Sequence, residues 1–209
     1  MGWTELIKFT IAIIVITNAF GTIPIFLSLT ADNTVEERKQ IAIKSSISIA
    51  IIFITGILCG GFILQTFGIS VDAFRVAGGI IIFMLGISML NSKQSPIKHT
   101  KKEQRFAEQK DDIAIVPLAL PIIAGPGTIS TLIVYSNNYP ELLDKIKLIG
   151  ASLTIAVGFL LMLLSASKVS KYLGVSGIRI ATRVMGMLLA ALAIEMISTG
   201  LLKLFPGLH

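Results

Sequence analysis

Residues 113–137 read IAIVPLALPIIAGPGTISTLIVYSN, an apolar stretch that contains Pro117, Pro121 and the sequence Gly125-Pro126-Gly127. Its length suits a membrane-crossing helix, because a hydrocarbon core of about 30 Å needs roughly 20 helical residues. Proline removes a helical hydrogen bond and crowds the preceding turn, so an uninterrupted helix would not tolerate this pattern without compensation. The stretch therefore predicts a membrane-spanning helix that is broken or strongly kinked.

A second stretch near the start of the chain has the same character. Residues 6–30 are apolar but include Asn18, Gly21 and Pro24. Four further apolar segments lie at 41–66, 73–90, 146–167 and 178–204. The chain is 54% hydrophobic and 14% charged, whereas a soluble domain has about 25% charged residues. We therefore expect an all-α membrane protein with six transmembrane helices, of which helices 1 and 4 are discontinuous.

The basic residues divide unevenly between alternate loops, with 13 on one side and 5 on the other. The richer side includes residues 92–112, which are expected to form a cytoplasmic basic linker. The positive-inside rule then places both termini outside the cytoplasm, and the chain is expected in the cell inner membrane. Since these charges orient the chain in the lipid bilayer, the net charge of +6 does not indicate a nucleic-acid partner.

The two halves of the chain resemble each other. A shift of 106 residues places Gly21-Thr22-Ile23 on Gly127-Thr128-Ile129, and Phe67-Gly68-Ile69-Ser70 on Leu173-Gly174-Val175-Ser176. Chance similarity between hydrophobic segments is the alternative explanation. An odd number of helices inverts the second copy, as in many secondary transporters. Residues 1–91 and 113–209 are thus predicted to form two inverted three-helix repeats.

The two interrupted helices occupy equivalent positions in the repeats, which points to a binding site near the midplane. A half-helix that begins at Gly21 or Gly127 would direct backbone N–H groups and the positive end of its dipole inward, where a carboxylate can bind. Thr22 and Thr128 can cap these ends or donate to a ligand. Asn18 offers both donors and an acceptor.

Glu195 is the one acidic residue placed well inside a predicted span. Carboxylates at that depth are costly and often functional, so Glu195 is a candidate for proton coupling, with a structural ion pair as the alternative. Arg75 and Arg183 are expected to reach toward the membrane surface. The sequence has no His inside a span and no motif of a hydrolase or metalloprotease, so we expect no metal, no cofactor and no catalytic residue, and predict no enzyme.

Residues 18–28, NAFGTIPIFLS, and residues 117–131, PLALPIIAGPGTIST, resemble the motifs of the MarC family of membrane proteins. The similarity extends over essentially the whole chain, although Ala19 and Thr22 replace residues usual in the first motif. The resemblance implies six spans in two inverted repeats and a relation to archaeal transporters of small neutral amino acids. It also implies that the interrupted helices hold the substrate.

We therefore expect a secondary transporter of small neutral amino acids such as glycine, alanine and serine, working by alternating access. A small zwitterion suits both the helix ends and the small residues near them. Efflux of other small molecules and a non-transporting structural or regulatory role are the alternatives. The candidate substrate-binding residues are Asn18, Ala19, Phe20, Gly21, Thr22, Gly125, Gly127 and Thr128.

Overall fold

A computed structural model of the chain describes residues 1–91 and 124–208. Within those ranges the regular elements are all helices, which agrees with the all-α prediction. The α-helices are α1 Trp3–Thr17, α2 Ala19–Leu29, α3 Val35–Thr66, α4 Val71–Leu90, α5 Pro126–Asn138, α6 Leu142–Leu164 and α7 Ala166–Leu204, followed by a 3-10 turn at Pro206–Leu208.

Five helical segments in the described ranges are long and apolar enough to cross a membrane. They are Trp3–Leu29, which combines α1 and α2, and the single helices α3, α4, α6 and α7. At 1.5 Å per residue, the 13 residues of α5 extend about 20 Å, too short to cross alone. The first part of the predicted fourth span, 113–123, and the predicted linker, 92–112, lie outside the described residues.

The second span begins earlier than predicted. The polar residues before position 41 were expected to lie outside it, but α3 starts at Val35. The Thr34 side chain accepts a hydrogen bond from the Glu37 N–H, and the Glu37 carboxylate accepts one from the Thr34 N–H. This capping box satisfies the free amides of the first turn, so charged residues there extend the helix.

Two glycines with positive φ mark equivalent positions in the two halves. Gly68, between α3 and α4, has φ 67°, and Gly174, inside α7, has φ 63°. Gly174 interrupts α7, so its first part, 166–173, follows α6 across a bend at Ser165, and its second part, 175–204, forms the last long helix. A single residue thus replaces the predicted turn at 172–177, because glycine alone adopts positive φ without a steric penalty.

Helices α4 and α7 make the most extensive contact between elements in the described ranges. A Cβ atom at Gly86 would lie 2.8 Å from the Gly186 carbonyl oxygen, and one at Gly200 would lie 3.0 Å from the Asp72 carbonyl oxygen. Early residues of α4 thus meet late residues of α7, so the two helices run antiparallel. Their backbones touch because no side chain separates them at these glycines.

Helix α5 packs into the small-residue face of α3. A Cβ atom added to Gly56 would contact Leu132, and one added to Gly60 would overlap Ile133. A Cβ atom added to Gly61 would lie 2.8 Å from the Asn137 amide. The Ser136 hydroxyl donates to the Ile57 carbonyl oxygen. The predicted role of this glycine face, close approach of a neighbouring helix, is therefore confirmed.

Side-chain contacts assign the loops to two ends of the bundle. At the N-terminal end, the Met1 amine binds Asp144 and the Arg75 guanidinium binds Asn138. At the opposite end, Arg38 donates to the Thr30 carbonyl oxygen and to the Ser167 hydroxyl. Between the ends, large apolar side chains are exposed all around the bundle, as expected where lipid surrounds the protein.

Candidate functional site

The first span is interrupted at Asn18, near the middle of Trp3–Leu29. Asn18 has φ 43° and ψ 60°, the left-handed conformation, and separates α1 from α2. Its N–H still donates to the Val15 carbonyl oxygen at 3.2 Å, and its own carbonyl oxygen accepts from the Thr22 N–H. Asparagine tolerates this conformation better than other residues with a Cβ atom, which explains why the break falls here.

The Asn18 side chain caps the helix that follows the break. Its Oδ1 accepts a hydrogen bond from the Gly21 N–H at 3.2 Å, and a Cβ atom on Gly21 would overlap the Asn18 amide. Helix α2 thus begins at Ala19, two residues before the predicted start at Gly21. The absent side chain of Gly21 makes room for the capping amide, rather than for a ligand, in this conformation.

The other predicted residues of this motif lie in the first turn of α2. Ala19 and Phe20 are partly buried and pack against the larger apolar core, which includes Phe9 and Phe26. Thr22 is buried, and its hydroxyl donates to the Asn18 carbonyl oxygen at 3.1 Å. Since this hydroxyl is engaged within the helix, the free donors at the break are backbone N–H groups.

Helix α5 begins at Pro126, one residue before the predicted start at Gly127. Gly125 precedes the helix in an extended conformation, and no side chain caps the end from that position. Proline at the first helical position has no N–H, so the Gly127 N–H is the first backbone donor of the helix. Gly127 and Thr128 are buried.

Both helix starts border one small apolar cluster. A Cβ atom on Gly127 would lie 2.6 Å from Ile82 Cγ1 and 3.9 Å from Ile16 Cγ2. The Asn18 side-chain amide points at the Met89 sulfur, 3.7 Å away. The cluster consists of Val15, Ile16, Ile82, Met89, Leu189 and Ala193. Gly127 meets the cluster at Ile82, and Asn18 meets it at Met89, about two helical turns further along α4.

Polar groups on the next turn of α5 face the same region. The Thr131 hydroxyl donates to the Gly127 carbonyl oxygen at 3.0 Å and lies 3.8 Å from the Met196 sulfur. Ser130 is buried and donates to the Phe74 carbonyl oxygen of α4. Sequence reasoning did not select Ser130 and Thr131, although both belong to the second family motif.

Glu195 does not face the buried interior. Its residue is exposed on α7, and it interacts electrostatically with Lys8 and Tyr135. Lys8 also forms an ion pair with Glu5 at 2.9 Å. Burial, together with the charge of Glu5, raises the pKa of Tyr139 nearby, so this phenol stays neutral near pH 7. Glu195 thus belongs to a mixed-charge group toward the N-terminal end.

Arg75 is the buried cation that sequence reasoning missed. It was expected to reach the membrane surface, but it is 3% exposed. Its guanidinium donates to Asn138 Oδ1 at 2.9 Å and lies 3.5 Å from Asp72 Oδ1, while its Nε has no partner among the described residues. Asp72 precedes Arg75 by one helical turn, a spacing that allows an ion pair and is the signal that could have indicated burial.

The arrangement favours binding of a negative group by backbone donors. Two helix N-termini carry partial positive charge beside a shared cluster, and no group of three or more His, Cys, Asp or Glu side chains that could hold a metal ion occurs in the described ranges. Helix N-termini bind carboxylates and other anions because their first amides have no partner within the helix.

The fold and these contacts define a helical membrane protein with several spans, the first of which is interrupted at Asn18. The chain belongs to the MarC family of integral membrane proteins, whose family model matches residues 3–205. It is 42% identical over 205 residues to a UPF0056 membrane protein of Buchnera aphidicola from Acyrthosiphon pisum, covering 97% of this chain and 94% of the relative. It is 39% identical to the UPF0056 membrane protein YhcE of Escherichia coli, covering 96% and 94%. For YvbG of Bacillus subtilis the identity is 37%, over 100% and 99% of the two chains. No solved structure is significantly similar to the chain.

Proposed function

We propose that the chain is a secondary transporter of small neutral amino acids, rather than an enzyme, and that it works by alternating access around two interrupted helices. The observation that carries the proposal is the pair of helix starts, at Ala19 and Pro126, beside one apolar cluster. Paired helix breaks at the midplane are the common construction of substrate sites in transporters with inverted repeats.

The inverted repeat is supported by the backbone at two equivalent glycines. Gly68 and Gly174 lie 106 residues apart, as the sequence match requires, and have φ values of 67° and 63°. Helices α4 and α7, the third helices of the two proposed repeats, pack antiparallel. Opposite directions are what an odd number of helices per repeat imposes, so the packing agrees with the proposed inversion.

Carboxylate recognition is assigned to the backbone of the two helix starts. Gly127 supplies the first N–H of α5, because Pro126 has none, and Gly125 offers no competing side-chain cap. At α2, Asn18 occupies the Gly21 N–H but leaves the N–H groups of Ala19 and Phe20 at the open end of the helix. Carbonyl oxygens released at the breaks would accept hydrogen bonds from the substrate ammonium group.

Small residues limit the size of the substrate. Glycine, alanine, serine and threonine line both breaks, and Gly127 lies directly against Ile82 in this conformation. Binding therefore requires the apolar cluster to separate from the start of α5, which is the kind of movement that alternating access provides. Glycine, alanine and serine would then fit, whereas a large aromatic amino acid would displace many packed side chains.

The buried Arg75 changes one part of the substrate prediction. Arg75 was expected at the membrane surface, but it is a buried basic residue that could match a second negative charge on a substrate. Asp72 lies 3.5 Å from the guanidinium and Asn138 binds it, so its charge is already partly balanced. The preference for a net-neutral zwitterion is therefore kept, on the basis of the helix ends.

The orientation and coupling ion are parts of the same proposal. We propose that the N-terminal end faces away from the cytoplasm in the cell inner membrane, because the opposite end has the larger share of Lys and Arg. Protons remain the proposed coupling ions, with Glu195 as the candidate coupling residue, which is exposed on α7 rather than buried among the helices.

The experiment is uptake of labelled glycine and alanine by proteoliposomes that contain the purified protein. We expect competition by unlabelled serine and none by tryptophan or lysine. Thr128→Val should reduce uptake, whereas Thr154→Val should not, because the Thr154 hydroxyl bonds to its own helix on the exposed face of α6. Transport of cationic or bulky compounds without any small neutral amino acid would overturn the proposal.

A further inference from the structure

A cavity of about 240 Å³ opens between the ends of α3 and α5 and the start of α6. The residues that line the cavity include Leu58, Phe62, Gln65, Asn137 and Lys145. It is separate from the two helix starts, because it lies at the N-terminal end of the bundle, where membrane headgroups meet the protein.

Lys145 is the unpaired cation of this end of the bundle. The other lysines there form ion pairs: Lys8 with Glu5, Lys147 with Asp144, and Lys203 with Asp72. The Lys145 ammonium group forms no ion pair or hydrogen bond with any described residue, although the residue is partly buried and lines the cavity. An unpaired ammonium group in a cavity favours an anionic occupant.

Two acidic residues precede Lys145, Glu141 by four positions and Asp144 by one, and neither forms an ion pair with it within the described ranges. The Asp144 carboxylate is 2.8 Å from the Met1 amine and 2.9 Å from the Lys147 ammonium group. Both of its oxygens are therefore committed to cations on the other side of α6. Near Lys145, the Gln65 side chain and the exposed Asn137 amide add neutral polar groups to the wall.

Two apolar side chains of the lining form a wall that is exposed at the surface of α3. Leu58 is 51% exposed and Phe62 is 73% exposed on the outer face of α3. A hydrocarbon chain can lie along these side chains while a phosphate group reaches Lys145, and a free phosphate ion would gain nothing from this wall. A polar, cationic rim next to an exposed apolar wall is the pattern that a phospholipid matches.

We propose that this cavity binds a phospholipid with an anionic headgroup, with the phosphate on Lys145 and an acyl chain along Leu58 and Phe62. The occupant carries net negative charge because the unbalanced charge in the cavity is positive. This site is independent of the proposed transport function, since neither helix start contributes to its lining.

The test measures lipid retention by native mass spectrometry of the full chain in detergent, with phosphatidylglycerol, phosphatidylcholine and inorganic phosphate as separate probes. We expect preferential retention of phosphatidylglycerol, and a loss of about fivefold in its affinity for Lys145→Gln, as a basic residue near an anionic lipid contributes. Lys147→Gln is the matched control, because Lys147 lies two residues after Lys145, does not line the cavity and is paired with Asp144. It should retain the lipid.

Three results would overturn the proposal. One is equal retention of phosphatidylglycerol by wild type and Lys145→Gln, with both proteins folded by circular dichroism. Another is equal retention of the zwitterionic lipid, which would remove the anionic assignment. The third is displacement of the lipid by inorganic phosphate at matched concentration, which would indicate a site for a free anion. Lys145→Arg keeps the positive charge and should bind phosphatidylglycerol like the wild type. This result would exclude a folding defect as the cause of the loss in Lys145→Gln.

Discussion

Gly127→Ala should destabilise the folded protein through a clash with Ile82. The added methyl group would lie 2.6 Å from Ile82 Cγ1, whereas carbon atoms in good contact are about 3.5–4.0 Å apart. The neighbour is a β-branched side chain in the apolar cluster and is 0% exposed, so it has little room to move. Overpacking of this kind costs about 1–3 kcal/mol.

The opposite sign is expected at a matched glycine. Gly150 is also helical, but a Cβ atom there meets nothing within 4 Å. Gly150→Ala should therefore gain about 0.5–1 kcal/mol, since alanine restricts the unfolded chain more than glycine does. After the same gain is subtracted from the clash, Gly127→Ala should lose up to about 2 kcal/mol relative to wild type.

A double-mutant cycle isolates the contact. Ile82→Ala alone should cost about 2–5 kcal/mol, because it leaves a cavity in a packed cluster. In the Ile82→Ala background, however, Gly127→Ala should no longer be destabilising, since Cγ1 is gone. The assay is unfolding in mixed micelles titrated with dodecyl sulfate and followed by circular dichroism. If Gly127→Ala is as stable as Gly150→Ala, the packing role of Gly127 against Ile82 is refuted.

Two further substitutions test contacts, and a reporter fusion tests the orientation of the chain. Asn18→Ala should lower the free energy of unfolding by about 1–3 kcal/mol, because it adds strain in the left-handed conformation and removes a helix cap. Asn18→Gly should lower it by only a few tenths of a kcal/mol. Equal losses in the same unfolding assay would contradict the role of strain. Arg75→Gln should lose about 1.5–3 kcal/mol by breaking the charged hydrogen bond to Asn138, and exposed Arg179→Gln should lose little. A phosphatase fused after His209 should be active in cells, and activity of a fusion at Lys101 instead would reverse the proposed orientation.

The sequence predicted the long-range pattern of the fold better than its local boundaries. Hydropathy located five of the six predicted spans within the described residues, and the two glycines matched by the repeat, Gly68 and Gly174, share positive φ. The spans follow from local composition, and the matched glycines follow from a backbone requirement at one position in each half. The start of α3 was missed because Thr34 and Glu37 cap each other, which turned a charged loop into a helical turn.

The structure gives several candidate site residues contacts that the sequence did not predict. Asn18 was selected as a ligand donor, whereas its side chain caps α2, and Gly21 gives that cap its space. The burial of Arg75 depends on Asn138, 63 residues away, so hydropathy could not reveal it. Whether Glu195 faces the interior depends on the rotation of α7 against α4, which a periodic apolar pattern does not determine in a helix surrounded by lipid.

The glycines at 68 and 174 also define how the third helices are attached. The antiparallel pair made by α4 and residues 175–204 is held together backbone to backbone at Gly86 and Gly186. Residues 67–70, which include Gly68, join α3 to α4, and Gly174 joins the two parts of α7. A Cβ atom at either glycine would meet no neighbour within 4 Å. Gly68 and Gly174 thus lie at opposite ends of this helix pair. Backbone rotation at the two glycines would tilt both helices together without changing the contacts between them.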